Sequence, residues 1–469
     1  MAFMKTLDWK LIVAALSAIV VVAGLSSVAA SAEKRTLRDA RLEDIETVRT
    51  QYLPREMAYS PATRALAEAQ LDRLEQDAGN LSEPEFKVGL AIVGALTDNA
   101  HSGLRLRDPA ARAFARLPLR LLWMPDALIV ARATGPAADL AGARVLKVEG
   151  RAPEALLETS KILLGGNDAG RKHWLNEWIE SAGILHALGL AKSPDRITMK
   201  LRLPNGKTVS RTVAMIPVSE LSPSAETARL WSPEPVPSEE HWATALGSDE
   251  LPLYLRDANA PFRWVALEEL DALYIQFRWN DDDDGFSIAE FLDEVKTEIA
   301  ERRPASLIVD HRFNTGGNIL KTLDFMRGLP DTVDGHSYLL VGPYTFSAGM
   351  VSAAAFKKHG GDRVTVVGDG LGDRLHFWSE GAMIELPNSR YSFRYTNGQF
   401  NLGHGCTGEP ACMDDLYPID VNGADLVPEI RTPLTAADYF SGRDPAMNAV
   451  VKRILATRGT ERAREGMQE

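Results

Sequence analysis

The sequence is poor in the features that mark several common classes of protein. Two cysteines in 469 residues are too few for a disulfide-built scaffold. No lysine- or arginine-rich run alternates with aromatics, and 64 acidic against 52 basic residues leave a formal charge of -12. Nothing here tracks a phosphate backbone, so no nucleic acid is expected as a partner. The glycine-rich stretches LLGGNDAGRKHW and GDGLGDR lack the Lys-Ser/Thr pair of a phosphate loop, which argues against nucleotide binding. There is no internal repeat and no extended low-complexity segment. No cofactor is expected.

What is present is ordinary globular composition, 45% apolar and 25% charged, over a length that suits two to three domains. At the N-terminus Lys5 and Lys10 precede the apolar run Leu11 to Leu25, and small residues then lead to Ala30, Ser31 and Ala32. That order predicts a signal peptide over 1–32 and an exported protein, periplasmic or extracellular. The rival reading is an uncleaved anchor from Leu11 to about Ala30, the one route by which this chain would meet a membrane. No cysteine follows the run, which excludes lipid attachment there.

Export permits a local disulfide between Cys406 and Cys412 in GCTGEPAC. Zinc would need ligands beyond these and His404, and the calcium-like loop WNDDDDGFSIAEF has Phe291 where its bidentate Glu should stand. No metal is expected.

Residues 33–125 read as an N-terminal helical region, with apolar positions at three- and four-residue spacing through Ile45, Val48 and Tyr52, Leu66, Leu71 and Leu74, and Phe86, Leu90 and Val93. TDNAHSGLRL breaks the pattern and leaves His101 on a loop between a helix and a strand. Over 126–218 short strand-like runs take over, with Asn205-Gly206 as a hairpin turn and a helical insert from about Ala152 to Leu190. With LAGARVLKVEGRAPEALL in place, this region resembles a PDZ domain. A Pro-, Ser- and Glu-rich stretch marks a linker over 219–255, and 256–469 alternates buried strands with helices, including a helix from Ile288 to Arg302.

The chemistry sits in that last region. In HSYLLVGPYTFSAGMVSAAAFKKHG a buried strand ends near Val341, a Gly-Pro turn comes next, and Ser347 opens a helix. The first helical turn has unpaired N–H groups and partial positive charge, which suit an oxyanion. A serine there is also an ordinary N-cap. The α/β-hydrolase elbow does not fit, because Thr345 stands where that motif has Gly. Upstream, ASLIVDHRFNTGGNILKTLDFM ends a second strand at Asp310 and continues through Arg312 and Asn314 to Gly316 and Gly317, a pair that lets backbone approach a ligand. His311 reads as packing at the strand end.

Either segment alone is commonplace. In this order they resemble the tail-specific, or C-terminal processing, serine peptidase family, whose "D.R.N.GG" element precedes a "T.SA" nucleophile element. The resemblance runs from ALYIQFRW to LVPEI. It implies a mixed α/β fold: a Clp protease/crotonase-like catalytic core over 256–469, with an N-terminal helical bundle and a PDZ-like domain. It also implies Ser347 as nucleophile, and Gly316 or Gly317 with the Ala348 N–H as the oxyanion hole.

One branch of the family uses a lysine base about twenty-five residues past the serine. Here VVGDGLGDRLHF carries Asp373 and Arg374 instead, and no lysine occurs between Lys358 and Lys452. Guanidinium stays protonated and cannot serve. The other branch, resembling the tricorn protease core and interphotoreceptor retinoid-binding protein, takes its base from an upstream "L.DGHT" histidine. LTDNAHSGL lies in that place with Asn99 and Ala100 as departures, which implies His101 as base. Asp425, with Asp420 behind it, is the candidate acid to orient His101; His376 and His404 are the fallback bases. The expectation is an exported serine peptidase acting on peptides or proteins through an acyl-enzyme. The alternatives are a non-catalytic ligand-binding protein on the same fold or an esterase-type hydrolase.

Overall fold

The computed structural model describes residues 36–105, 115–217, 227–235, 241–247 and 251–465. The expected signal segment 1–32 and part of the linker lie outside the described residues.

Three helices, Leu37–Thr47, Pro61–Asp77 and Glu83–Ala95, begin at Thr36, Ser60 and Ser82. Each of these residues accepts from the N3 backbone N–H in a reciprocal capping box, so local side-chain chemistry sets where the helices start. Their apolar faces share one core with an antiparallel sheet of strands Leu119–Trp123, Leu128–Ala133, Arg144–Val148, Arg196–Arg202 and Thr208–Ala214, in that spatial order. Ile197, Met199 and Leu201 alternate inward along the fourth strand, as period-2 patterning requires. Helices including Pro153–Ser160, Asp168–Trp174 and Ala182–Ala187 form an insert between the third and fourth strands. The same core takes in Ile384 and Phe393 from the hairpin Ala382–Glu385 and Ser392–Tyr395. Gly103–Leu104 adds a third strand to that hairpin, pairing Gly103 with Arg394, and this ties the loop of residue 101 to the C-terminal half.

The second core is a six-stranded sheet in the order Ile430–Arg431, Val364–Gly368, Ser337–Val341, Ser306–Asp310, Ala272–Phe277, Phe262–Leu267. All neighbours are parallel except the last pair. Helices Ile288–Arg302, Leu323–Gly328 and Ala348–Gly360 supply one apolar cluster against it, and Ala446, Val450 and Ile454 of helix Pro445–Glu465 belong to another. With both faces covered, four successive strands are buried at every position, which is why they read as unbroken apolar runs.

The segment expected as a linker is partly folded. It contains helix Thr227–Trp231, whose Trp231 Nε1 donates to the Tyr344 hydroxyl at 2.9 Å, and strand Ala243–Thr244, which pairs with Leu128–Ala133. In the acidic turn, Lys321 lies 2.6 Å from both Asp281 and Asp282.

Candidate active site

Two adjacent parallel strands, Ser306–Asp310 and Ser337–Val341, deliver the two motif loops side by side. Asp310 is fully buried and accepts from the Arg312 guanidinium and the Tyr274 hydroxyl; Arg312 also reaches Asp444 at 2.8 Å. Burial pushes the Asp310 carboxyl up, but the charge and hydrogen bonds of Arg312 with the Tyr274 bond more than offset it, leaving it below the usual carboxylate range. The strand end is thus a rigid anchor for the loop that runs from His311 to the glycine pair.

Asn314 stitches the two loops together. Its carbonyl accepts from the Phe346 N–H at 2.9 Å, its Nδ2 donates to Asn280 Oδ1 at 2.9 Å, and its Oδ1 accepts from the Gly316 N–H at 3.1 Å. Gly316 and Gly317 have φ of 113° and 123°, a region that favours glycine. A Cβ on Gly316 would fall 2.8 Å from Ser347 Cβ, so only glycine lets this backbone meet the serine. Burial pushes the His311 pKa down to about 4, and its Nδ1 lies 3.2 Å from the Gly349 carbonyl, tying down the helix that follows Ser347.

Ser347 does not behave as an N-cap. A capping serine has extended backbone and bonds the N2 or N3 N–H. Ser347 instead has φ 54° and ψ -130°, and its side chain makes no capping bond. Strain of this kind in a residue with a Cβ costs on the order of 1–3 kcal/mol and persists only where the surroundings impose it. Among the described residues the N–H groups of Gly317 and Ala348 make no hydrogen bond, whereas that of Gly316 is taken by Asn314.

His101 comes from the other end of the chain, on the loop between helix Glu83–Ala95 and strand Gly103–Leu104. It is 1% exposed, and its ring stacks on Phe346, the residue before the serine, with centroids 4.2 Å apart. Its Nδ1 lies 3.8 Å from Asp373 Oδ2. Burial raises the Asp373 carboxyl to about 6. The loop that carries Asp373 is pinned by the Gly372 N–H, which donates to the Thr345 carbonyl at 2.9 Å.

Three segments meet around the His101 loop. Asp98 receives Arg171 from the helical insert and Arg374 from the Asp373 loop, each at 2.8 Å. Asn99 accepts from the Trp378 N–H and donates to Ser102 Oγ. A Cβ on Gly165 would lie 2.3 Å from the Asn99 N, so the insert touches this loop backbone to backbone.

No family model and no curated protein matches the sequence. Among solved structures, mature CPAF complexed with lactacystin matches with a TM-score of 0.52 at 14% identity, covering 89% of this chain and 98% of that one. Mature CPAF gives the same score and identity, over 89% and 96%. The fold is that of the tail-specific serine proteases. The photosystem II D1 C-terminal processing protease is also similar, at 14% identity over 87% of this chain and 98% of that one with a TM-score of 0.36.

On this tail-specific protease fold, Gly316 lies against Ser347 and Ala348, and His101 stacks on Phe346, the residue before the serine, while Asp425 makes no contact with any of them. Asp425 is exposed and its carboxylate accepts from the Val427 N–H in a local turn. Asp420 pairs with Lys358. The carboxylate beside His101 is Asp373, which the sequence hides because the family pattern marks that stretch for a lysine. His376 Nε2 lies 2.9 Å from Gln399 Oε1, and His404 is exposed. Cys406 and Cys412 form a disulfide with Cα atoms 5.5 Å apart, closing a loop beside strand Gly398–Asn401.

Proposed function

We propose that this chain is an exported serine peptidase of the tail-specific family, in its histidine-dependent branch, cleaving peptide bonds of peptide or protein substrates. The observation that carries the reading is the Ser347 backbone: a strained, uncapped serine at a helix start, against Gly316 and directly after the phenylalanine on which the buried His101 ring stacks.

Ser347 Oγ attacks the scissile carbonyl as His101 takes its proton, giving an acyl-enzyme that water then hydrolyses. Protonated His101 returns the proton to the leaving amine. The developing oxyanion is held by the Ala348 N–H at the positive end of its helix and by the Gly317 N–H, with Gly316 shaping the wall. Asp373, in the role expected of Asp425, orients Nδ1 of His101 and bears on the imidazolium. The 3.8 Å separation is loose for a hydrogen bond, as is common before substrate closes a site. The sheet over 126–218 serves as a PDZ-like domain presenting substrate, with its insert against the His101 loop.

The test is to incubate the exported, processed protein with a peptide mixture and identify products by mass spectrometry beside Ser347→Ala. Cleavage that vanishes in the variant supports the reading. Undiminished cleavage by Ser347→Ala, or no cleavage by either protein, counts against it.

A further inference from the structure

We propose that Phe346 and Phe377 are positioning residues for the base: they hold the His101 ring between two aromatic faces, and those faces stabilise the imidazolium formed on proton transfer. The inference rests on the reading of His101 as base and adds two residues to it.

The geometry is a continuous stack. His101 lies 4.2 Å from Phe346 at an interplanar angle of 15°, and 5.4 Å from Phe377 at 18°. Phe377 in turn stacks on Phe400 at 5.2 Å and 11°. Most other ring contacts among the described residues are edge-on or tilted, Tyr254 with Phe313 being the other stacked pair. Two separate features of the fold set the stack. Phe346 is aimed by the turn that strains Ser347, and Phe377 by strand His376–Ser379, whose antiparallel register places it directly opposite Phe400.

A cation over an aromatic face within about 6 Å is attracted by the ring quadrupole, more strongly where water is excluded. His101 is 1% exposed. Neutral imidazole gains little from this field, so the two faces act on the charged form and counter the burial that disfavours it. The charged and titratable groups around the ring come from several elements. Asp373 faces Nδ1, Arg374 and Arg171 pair with Asp98, Arg105 donates to the His101 carbonyl, and His173 of the insert packs on Tyr344. Phe377→Leu alters none of these and keeps the apolar wall, so its effect isolates the aromatic face.

The experiment is an NMR titration of the full chain labelled with ¹⁵N-histidine, with the His101 resonances identified by their absence in His101→Gln. Phe377→Leu should lower the His101 pKa by about half to one unit, matching a cation–π loss of about three- to tenfold. The acidic limb of kcat/KM should move the same way, kcat should fall about three- to tenfold, and Phe377→Tyr should restore both. If Phe377→Leu fails to fold, Phe346→Leu makes the same measurement at the other stacked ring. An unchanged or raised His101 pKa in the folded variant overturns the proposal. The titration reads the ring without catalysis, so a dead enzyme sinks the peptidase reading, and an unmoved pKa in an active, His101-dependent enzyme sinks only the stack.

Discussion

Around Ser347 the chain uses two neighbouring turns of one parallel sheet, while around His101 it gathers segments from residue 98 to residue 377. The first half is held within its two loops: Asn314 bonds across both through its carbonyl and its side-chain amide, and a Gly316 Cβ would collide with the serine. The second half is held by side chains, through ring stacking, the Asp98 ion pairs and a 3.8 Å approach of Asp373. A parallel sheet presents its loops at one end whatever else the chain does. The position of His101 depends on the N-terminal helices, the insert and the hairpins all docking correctly. On the proposed mechanism the serine half is set by one sheet, and pH and domain contacts act on the His101 half.

The comparison breaks most sharply at the acid. Asp373→Asn should cost on the order of 10²- to 10⁴-fold in kcat, because it leaves the imidazolium without its charge partner. Asp425→Asn should leave kcat within about twofold, as expected of an exposed residue away from the reacting groups. Equal losses in the two variants would return the orienting role to a longer-range acid. Gly316→Ala comes next, with an expected loss of about 10²- to 10³-fold, comparable to removal of an oxyanion donor. Thermal unfolding would show whether the added Cβ strains the fold, the serine or both.

A smaller effect concerns pH. The Asp373 carboxyl titrates at about 6 when buried, against 3.8 ordinarily. The folded protein therefore binds this proton more tightly than the unfolded chain, and stability should fall as pH rises from about 4 to about 6, by on the order of 3 kcal/mol. Activity should run the other way, rising through about pH 6 as the carboxylate forms. Asp373→Asn should flatten the stability slope, measurable by denaturant titration at pH 4 and pH 7. The smallest expected effect is at the disulfide: Cys406→Ser with Cys412→Ser should cost about 2 kcal/mol by the loop-entropy estimate and little activity. A large activity loss there would mean that the base half extends to the strand beside that loop.

How much was legible in the sequence follows the same division. Helix Ile288–Arg302 was legible to the residue, because its Ser287 cap and apolar spacing are local. Strands such as Ser306–Asp310 stood out as apolar runs because helices cover both faces of their sheet. Ser347 and the glycine pair form a motif because two adjacent strands of one sheet build both loops. Asp373 was not legible, since its approach to His101 depends on the Gly372 bond to Thr345, a contact no spacing reveals. Phe377 was equally hidden, being an ordinary strand aromatic until the hairpin register stacks it. Trp231 was lost in a Pro- and Ser-rich stretch whose composition says turn but whose helix packs under Tyr344.

The central claim is that Ser347 is a nucleophile activated by His101 and Asp373. It is tested most directly by fluorophosphonate labelling of the purified protein with peptide mapping, run beside Ser347→Ala, His101→Ala and Asp373→Asn. The account predicts an adduct on Ser347 in the wild-type protein, none in Ser347→Ala, and labelling slowed by at least about 10²-fold in His101→Ala, with Asp373→Asn slowed as well. An unlabelled Ser347 in folded protein, or labelling at full rate without His101, would contradict it.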